Sequence, residues 1–361
     1  MSGEPPPSNL RGDAPAAIDP DVTLPAPVAV PGAAGAALAW VQDGWNGLDP
    51  RRQMLVGFAF FGVGSTILIA LNGLILAPDL VFIWILIGLL AVSIGDVRGW
   101  ARGVVFDWMP FFGLLLAYGV LRGAIGAAPL FEPHVLPQIR VDELLFGGSI
   151  PSVELQERFY DPGQIHAWDI AAWGVYLTHF FVVVVVAAVL WRLARPQFLR
   201  FRAMVLTLTA AAFATYVLFP AAPPWMASES GVIGPVERVV RDVWRSIGAD
   251  RAAAIWDRGS AFANEVAALP SLHTAYPVLI LCFFWSRGWW ARAICLAYAV
   301  GMSITLVYTG EHYVSDVLLG WAYAIATYAA VSRFLAWRSR PARERGAETS
   351  AEQPAAPIRV A

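Results

Sequence analysis

Apolar stretches close to the length that crosses a bilayer recur along most of this chain, and they constrain its fold more than any other feature. A membrane-spanning helix needs about 20 predominantly apolar residues. Candidate stretches run over 53–76, 80–95, 104–125, 170–191, 203–220, 272–287, 290–309 and 314–336, the second and sixth being short. In lipid, backbone N–H and C=O groups must be bonded within the chain, so such stretches form helices. The expected fold is all-α, a polytopic transmembrane bundle of about eight spans. Composition agrees: of 361 residues, 58% are hydrophobic and 14% charged, against about a quarter charged in a soluble domain. The net charge of −2 provides no field for nucleic acid, and no nucleic-acid partner is expected. Pro110 falls inside the third stretch and is expected to kink it.

Arginine placement orients the spans. Arg51 and Arg52, Arg98 and Arg102, Arg192 to Arg202, Arg287 and Arg292, and the cluster after 336 all fall on one side if the spans number eight. Basic loops face the cytoplasm, so both termini are expected there, in a multi-pass cell-membrane protein. Residues 1–45 and 338–361 read as disordered Pro/Ala-rich and Arg-rich tails, with no cleavable signal peptide at the start. Between them, 46–337 forms one transmembrane domain with two long outer loops, 126–169 and 221–270. The first loop is acidic. In the second, Val236, Val239, Val240, Val243, Trp244 and Ile247 recur at helical spacing. That helix is expected either at the membrane surface or packed on the spans. Cys282 and Cys295 lie in apolar runs and read as packing residues.

Two segments carry chemistry: Pro270-Ser271-Leu272-His273-Thr274, opening the sixth span, and Glu311-His312-Tyr313-Val314-Ser315-Asp316, opening the eighth. Both begin at the outer surface and can meet there. His312 and Asp316 stand four apart, on one helical face. A carboxylate bonded to one imidazole nitrogen leaves the other as a nucleophile. His273 can act as general acid, and Ser271 with the N–H groups at its helix start can bind a phosphate oxygen. The same residues also admit a structural reading, with His312 and Asp316 pinning the eighth span. A metal reading is open too, since His273, His312 and Asp316 are plausible ligands. His134 and His166 read as interfacial polar residues. His179, inside the fourth span with Tyr176 one turn earlier, either lines a headgroup pocket or bonds between helices.

The Pro-Ser-x-His-Thr and His-Tyr-x-x-Asp motifs resemble those of the type 2 phosphatidic acid phosphatase superfamily. The likeness covers about 170–336. Tyr176-Leu-Thr-His179, Tyr216…Pro220-Ala-Ala-Pro-Pro-Trp225 and Asp142…Leu-Phe-Gly-Gly make it most similar to the branch of inositol phosphorylceramide synthase and the sphingomyelin synthases. The resemblance implies a phosphohistidine on His312, oriented by Asp316, with His273 protonating the leaving group. It implies a phospholipid or lipid-phosphate substrate, a lipid hydroxyl or water as acceptor, and no metal or organic cofactor. A lipid acceptor makes the protein an inositolphosphotransferase-like enzyme; water makes it a lipid phosphate phosphatase. A membrane scaffold or transporter retaining the fold is the non-enzymatic alternative. The chain departs from the superfamily by having no Lys, hence no Lys-x6-Arg-Pro motif. Leu306 also stands where an Arg would precede the nucleophilic histidine. The phosphate clamp is therefore open, with Arg122 favoured over Arg140 and Arg158. The expected substrate-binding set is Ser271, Arg122, Tyr176 and His179.

Overall fold

The computed structural model describes residues 40, 43–72, 78–93, 102–114, 117, 131–246 and 265–339. The expected tails, 1–45 and 338–361, lie almost wholly outside these residues. The chain divides into two units, residues 1–53 and 54–361. At the end of the first, Asp49 accepts the Arg52 N–H at 3.1 Å and caps helix α1 (Pro50–Asn72). Pro50 occupies the first helical position, where its missing N–H costs nothing.

In the second unit, α1 packs on α2 (Pro78–Ser93), and Trp84 donates its indole N–H to Ser65 at 2.7 Å. Residues 102–114 are helical, with a π-helical turn over Val104–Trp108. The distortion expected from Pro110 sits here. Proline has no N–H to offer the Phe106 carbonyl, and the Arg202 guanidinium donates to the carbonyls of Phe106 (3.1 Å) and Asp107 (2.7 Å) instead. The Asp107 carboxylate is buried and receives two bonds from Arg195, both at 2.8 Å.

The remaining helices are α3 (Leu136–Leu145), α4 (Pro151–Phe159), α5 (Ala167–Leu193), α6 (Arg195–Leu218), α7 (Pro224–Glu229), α8 (Val239–Ser246), α9 (Leu272–Phe284), α10 (Trp289–Tyr308) and α11 (Val314–Ser339). The fold is all-α, with only isolated β-bridges among the described residues. Among those residues, α5, α6, α10 and α11 are long and apolar enough to cross a membrane. Val185, Val189, Ile304 and Ile325 point outward from them, as a lipid solvent requires. Exposed Trp285, Trp289 and Trp290 alternate with Arg287 and Arg292, the composition of a membrane interface. This is the architecture of an integral membrane protein.

The sixth stretch is the exception in length. Helix α9 has 13 residues and passes into a 3-10 turn over Trp285–Arg287. It is apolar all round because it is buried all round, packed among α5, α6, α10 and α11. Residues Phe198, Phe201, Met204 and Leu208 of α6 and Leu279 of α9 are fully buried in this core. Cys282 and Cys295 are free thiols packed against it.

The segments expected as outer loops fold over the His312 end of the bundle. The described part of the acidic loop forms α3 and α4. The amphipathic helix of the second loop is α8, and of its two expected placements it takes the one on the spans. Val239, Val240, Val243 and Trp244 are buried, and Trp244 meets Trp173 of α5 edge-on at 4.8 Å. Its apolar stripe therefore contacts protein.

Candidate active site

The turn between α10 and α11 sets the geometry. Gly310 has φ +74°, and a Cβ there would fall 2.7 Å from Val236 Cγ1 and 2.9 Å from the Glu237 carbonyl. Conformation and space both require glycine. The N–H groups of Glu311 and His312 return to the Leu306 carbonyl at 3.1 and 3.2 Å. Gln156 of α4 clamps the turn from outside. Its side-chain N–H groups reach the carbonyls of Tyr308 (2.8 Å) and Glu237 (2.9 Å), and its oxygen accepts the Glu237 N–H (2.7 Å).

Helix α11 begins under a carboxylate that is remote in sequence. Asp142 of α3 is fully buried and accepts the N–H groups of Val314 (2.9 Å) and Ser315 (2.8 Å). These are orphan donors of a helix start. Burial pushes the Asp142 carboxyl up, and the bonds from Ser315 and Val314 pull it back only in part.

His312 and Asp316 are brought together by this start. Both are buried, and Asp316 Oδ2 lies 3.4 Å from His312 Nδ1 and 2.9 Å from the Tyr313 N–H. On the far side of the ring, His312 Nε2 lies 3.3 Å from His273 Nδ1. His273 reaches that point because α9 starts directly against α11. The Ser271 N–H donates to the Asp316 carbonyl at 3.1 Å. Thr274 Oγ1 donates to the Ser271 carbonyl at 3.1 Å. Gly320 allows the approach, since a Cβ there would lie 2.4 Å from the Ser271 carbonyl oxygen. Tyr216 fixes the preceding residue by donating to the Pro270 carbonyl at 2.6 Å.

The other expected site residues divide. Ser271 is fully buried at the start of α9; its hydroxyl has no partner among the described residues and makes no capping bond. Tyr176 stacks on His273 with centroids 5.1 Å apart, and the His179 ring lies 3.9 Å from His273. His179 thus touches the site. Arg122 lies outside the described residues. Arg140 and Arg158 are exposed. His134 stacks on Phe219, and His166 meets Asp161 at 2.9 Å, both away from the histidine pair. Among the described residues, no group of three or more His, Cys, Asp or Glu side chains is set to hold a metal ion.

Arg238 was not singled out from the sequence; it precedes α8, with its side chain 20% exposed. Its Nε and Nη2 donate to the two Glu311 oxygens at 2.7 and 3.2 Å, and the guanidinium lies 4.9 Å from the Trp225 ring centre. Burial works against the charge, but Glu311 more than offsets it and raises the Arg238 pKa. The available signal was Glu311 itself: a buried acid beside a candidate nucleophile calls for a buried cation. Arg238 also lines a cleft of about 260 Å³ with Trp225, Arg241 and Arg245.

Residues 157–330 match a family model described as the PAP2 superfamily. Phosphoinositol dihydroceramide synthase of Bacteroides thetaiotaomicron is 31% identical over 175 residues, covering 45% of this chain and 55% of that protein. The chain thus spans about half the length of that relative. No solved structure matches the chain.

Proposed function

We propose that the chain, whose residues 157–330 match the PAP2 superfamily model, is a lipid phosphotransferase working through a phosphohistidine on His312. The observation that carries this reading is the line Asp316–His312–His273, with contacts of 3.4 and 3.3 Å. Asp316 accepts the Nδ1 proton of His312, which leaves the Nε2 lone pair directed at His273. A phosphate ester entering between the two rings meets a nucleophile on one side and a proton donor on the other.

In the first step Nε2 attacks phosphorus, the bond to the lipid-side oxygen breaks, and His273 gives that oxygen its proton. In the second, His273 takes the proton of an acceptor hydroxyl as its oxygen attacks phosphorus and the P–N bond breaks. The relative's name, phosphoinositol dihydroceramide synthase, favours a lipid acceptor over water. The arginine-rich ends of the helices support a cytoplasmic placement of those ends and both termini, with the histidines opening to the other side.

The test is turnover of purified wild type and His312→Ala on a labelled phospholipid panel, following free phosphate and new phospholipid together. The expected result is a new phospholipid from the wild type and none from the variant. Phosphate release alone would make the protein a phosphatase. Equal behaviour of both proteins would leave a membrane scaffold.

A further inference from the structure

The reading above leaves the substrate phosphate without a cation, because the chain has no Lys and Leu306 stands where the superfamily's arginine would precede the nucleophile. A phosphate passing between two imidazoles carries negative charge that a low-dielectric site must neutralise. We propose that Arg238 holds the substrate phosphate, exchanging Glu311 for phosphoryl oxygens, and that the Trp225–Arg238 cleft is where a phosphorylated headgroup enters. This proposal rests on the phosphotransferase reading and adds to it a binding site.

Two observations place Arg238 for this role. Its partner Glu311 is the chain neighbour of His312, so the guanidinium sits at the turn that carries the nucleophile. Its Cζ also lies 4.9 Å from the Trp225 ring centre while its N–H edge engages a carboxylate bidentately. That is the fork geometry which also fits phosphate. Glu311 occupies the place of the anion and keeps the fork aligned until one arrives.

The cleft it lines is mixed in charge: Arg238, Arg241 and Arg245 face Glu229, Glu237 and Asp242, with Trp225 and Val236 also in the wall. Such a lining suits a headgroup that joins a phosphate to hydroxyls, since carboxylates accept hydroxyl protons while guanidiniums take the phosphate.

Orthovanadate, a phosphate mimic, separates this site from the reaction assignment. Full-length protein in detergent is titrated with vanadate by thermal shift, alongside turnover on the phospholipid panel. Arg238→Gln should weaken vanadate binding and kcat/KM by about tenfold or more, the loss expected for a charged hydrogen bond. Glu311→Gln should tighten vanadate binding, because the guanidinium is released. The pair Arg238→Gln/Glu311→Gln should remain as weak as Arg238→Gln alone. If Arg238 served only to neutralise Glu311, the double variant would recover wild-type vanadate affinity, and the proposal would be overturned. Unchanged vanadate binding in Arg238→Gln would overturn it equally. Loss of the phosphotransferase reading would show separately, as turnover that does not depend on His312.

Discussion

A single missing methyl group lets the two halves of the candidate site meet. Gly320 lies where α11 crosses the start of α9, and the atom a Cβ would strike is a backbone oxygen, which cannot rotate away. In Gly320→Ala the start of α9 must retreat, and His273, two residues beyond Ser271, must retreat with it. Overpacking of this kind costs about 1–3 kcal/mol. The expected outcome is a lower unfolding midpoint together with a kcat loss beyond what the change in folded fraction explains. Gly301→Ala on α10 is the control, because a Cβ there meets nothing within 4 Å. A neutral or stabilising effect is expected, since alanine is the better helix former. If Gly320→Ala also keeps wild-type kcat, the 3.3 Å contact between the histidines is not what the glycine protects. The neighbouring Ser271 hydroxyl, buried and without a partner among the described residues, is the kind of group held ready for a ligand oxygen. Ser271→Ala should therefore raise KM with little change in midpoint, measured by steady-state assay and thermal unfolding.

Helix α11 shows how an element can be legible while the device that fixes it is not. Its apolar length and the i,i+4 pair of His312 and Asp316 stand in the local sequence, as does the Pro-Ser-x-His start of α9. The outward-facing Val and Ile of α5 and α10 were legible for the same reason, because lipid burial imposes long uninterrupted runs. Asp142 stood out only in the Leu-Phe-Gly-Gly stretch that carries the resemblance, and its role did not. It caps α11 from more than 170 residues away, and no periodicity records a contact that the fold alone creates. Gln156 and the Arg238–Glu311 pair are hidden likewise, and a buried arginine beside a helix looks like any polar-face residue. The shortness of α9 was half-visible, but its burial on every side follows from neighbours that assemble only in three dimensions. Removing the remote cap tests its role directly. Asp142→Ala should cost about 1–2 kcal/mol, as the loss of an N-cap does, and lower kcat more than it raises KM. Asp142→Asn retains one acceptor oxygen and should fall between the two. Wild-type kcat in Asp142→Ala would mean that the start of α11 is held by other contacts.

Across the whole molecule, three helices agree on how deep the chemistry lies. Counting along each at 1.5 Å per residue, Arg192 of α5 lies about 20 Å from His179. Arg287 lies about 21 Å from His273, and Arg333 about 26 Å from Asp316 on the same scale. If the arginines mark one face of a hydrocarbon layer about 30 Å thick, the histidines lie some way inside the opposite face. A lipid phosphate reaches that level only when the headgroup descends from the surface, and helices α3, α4, α7 and α8 cover the approach. Helix α5 has 27 residues, about 10 Å more than the layer needs. The excess carries the buried Asp169, which accepts the Tyr308 hydroxyl, up into this cover. On the proposed orientation, cover and cleft face outward and the Trp285–Arg292 belt faces the cytoplasm. In a Cys282→Ala/Cys295→Ala background, exposed Ser230, between α7 and α8, and exposed Ser286, in the belt, are each replaced by Cys. A membrane-impermeant maleimide applied to intact cells should label Ser230→Cys at once and Ser286→Cys only after permeabilisation. The reverse pattern would turn the molecule over and place the acceptor lipid in the cytoplasmic leaflet. Labelling of both in intact cells would mean that Ser230 and Ser286 share one side and that the 13-residue α9 does not cross the layer.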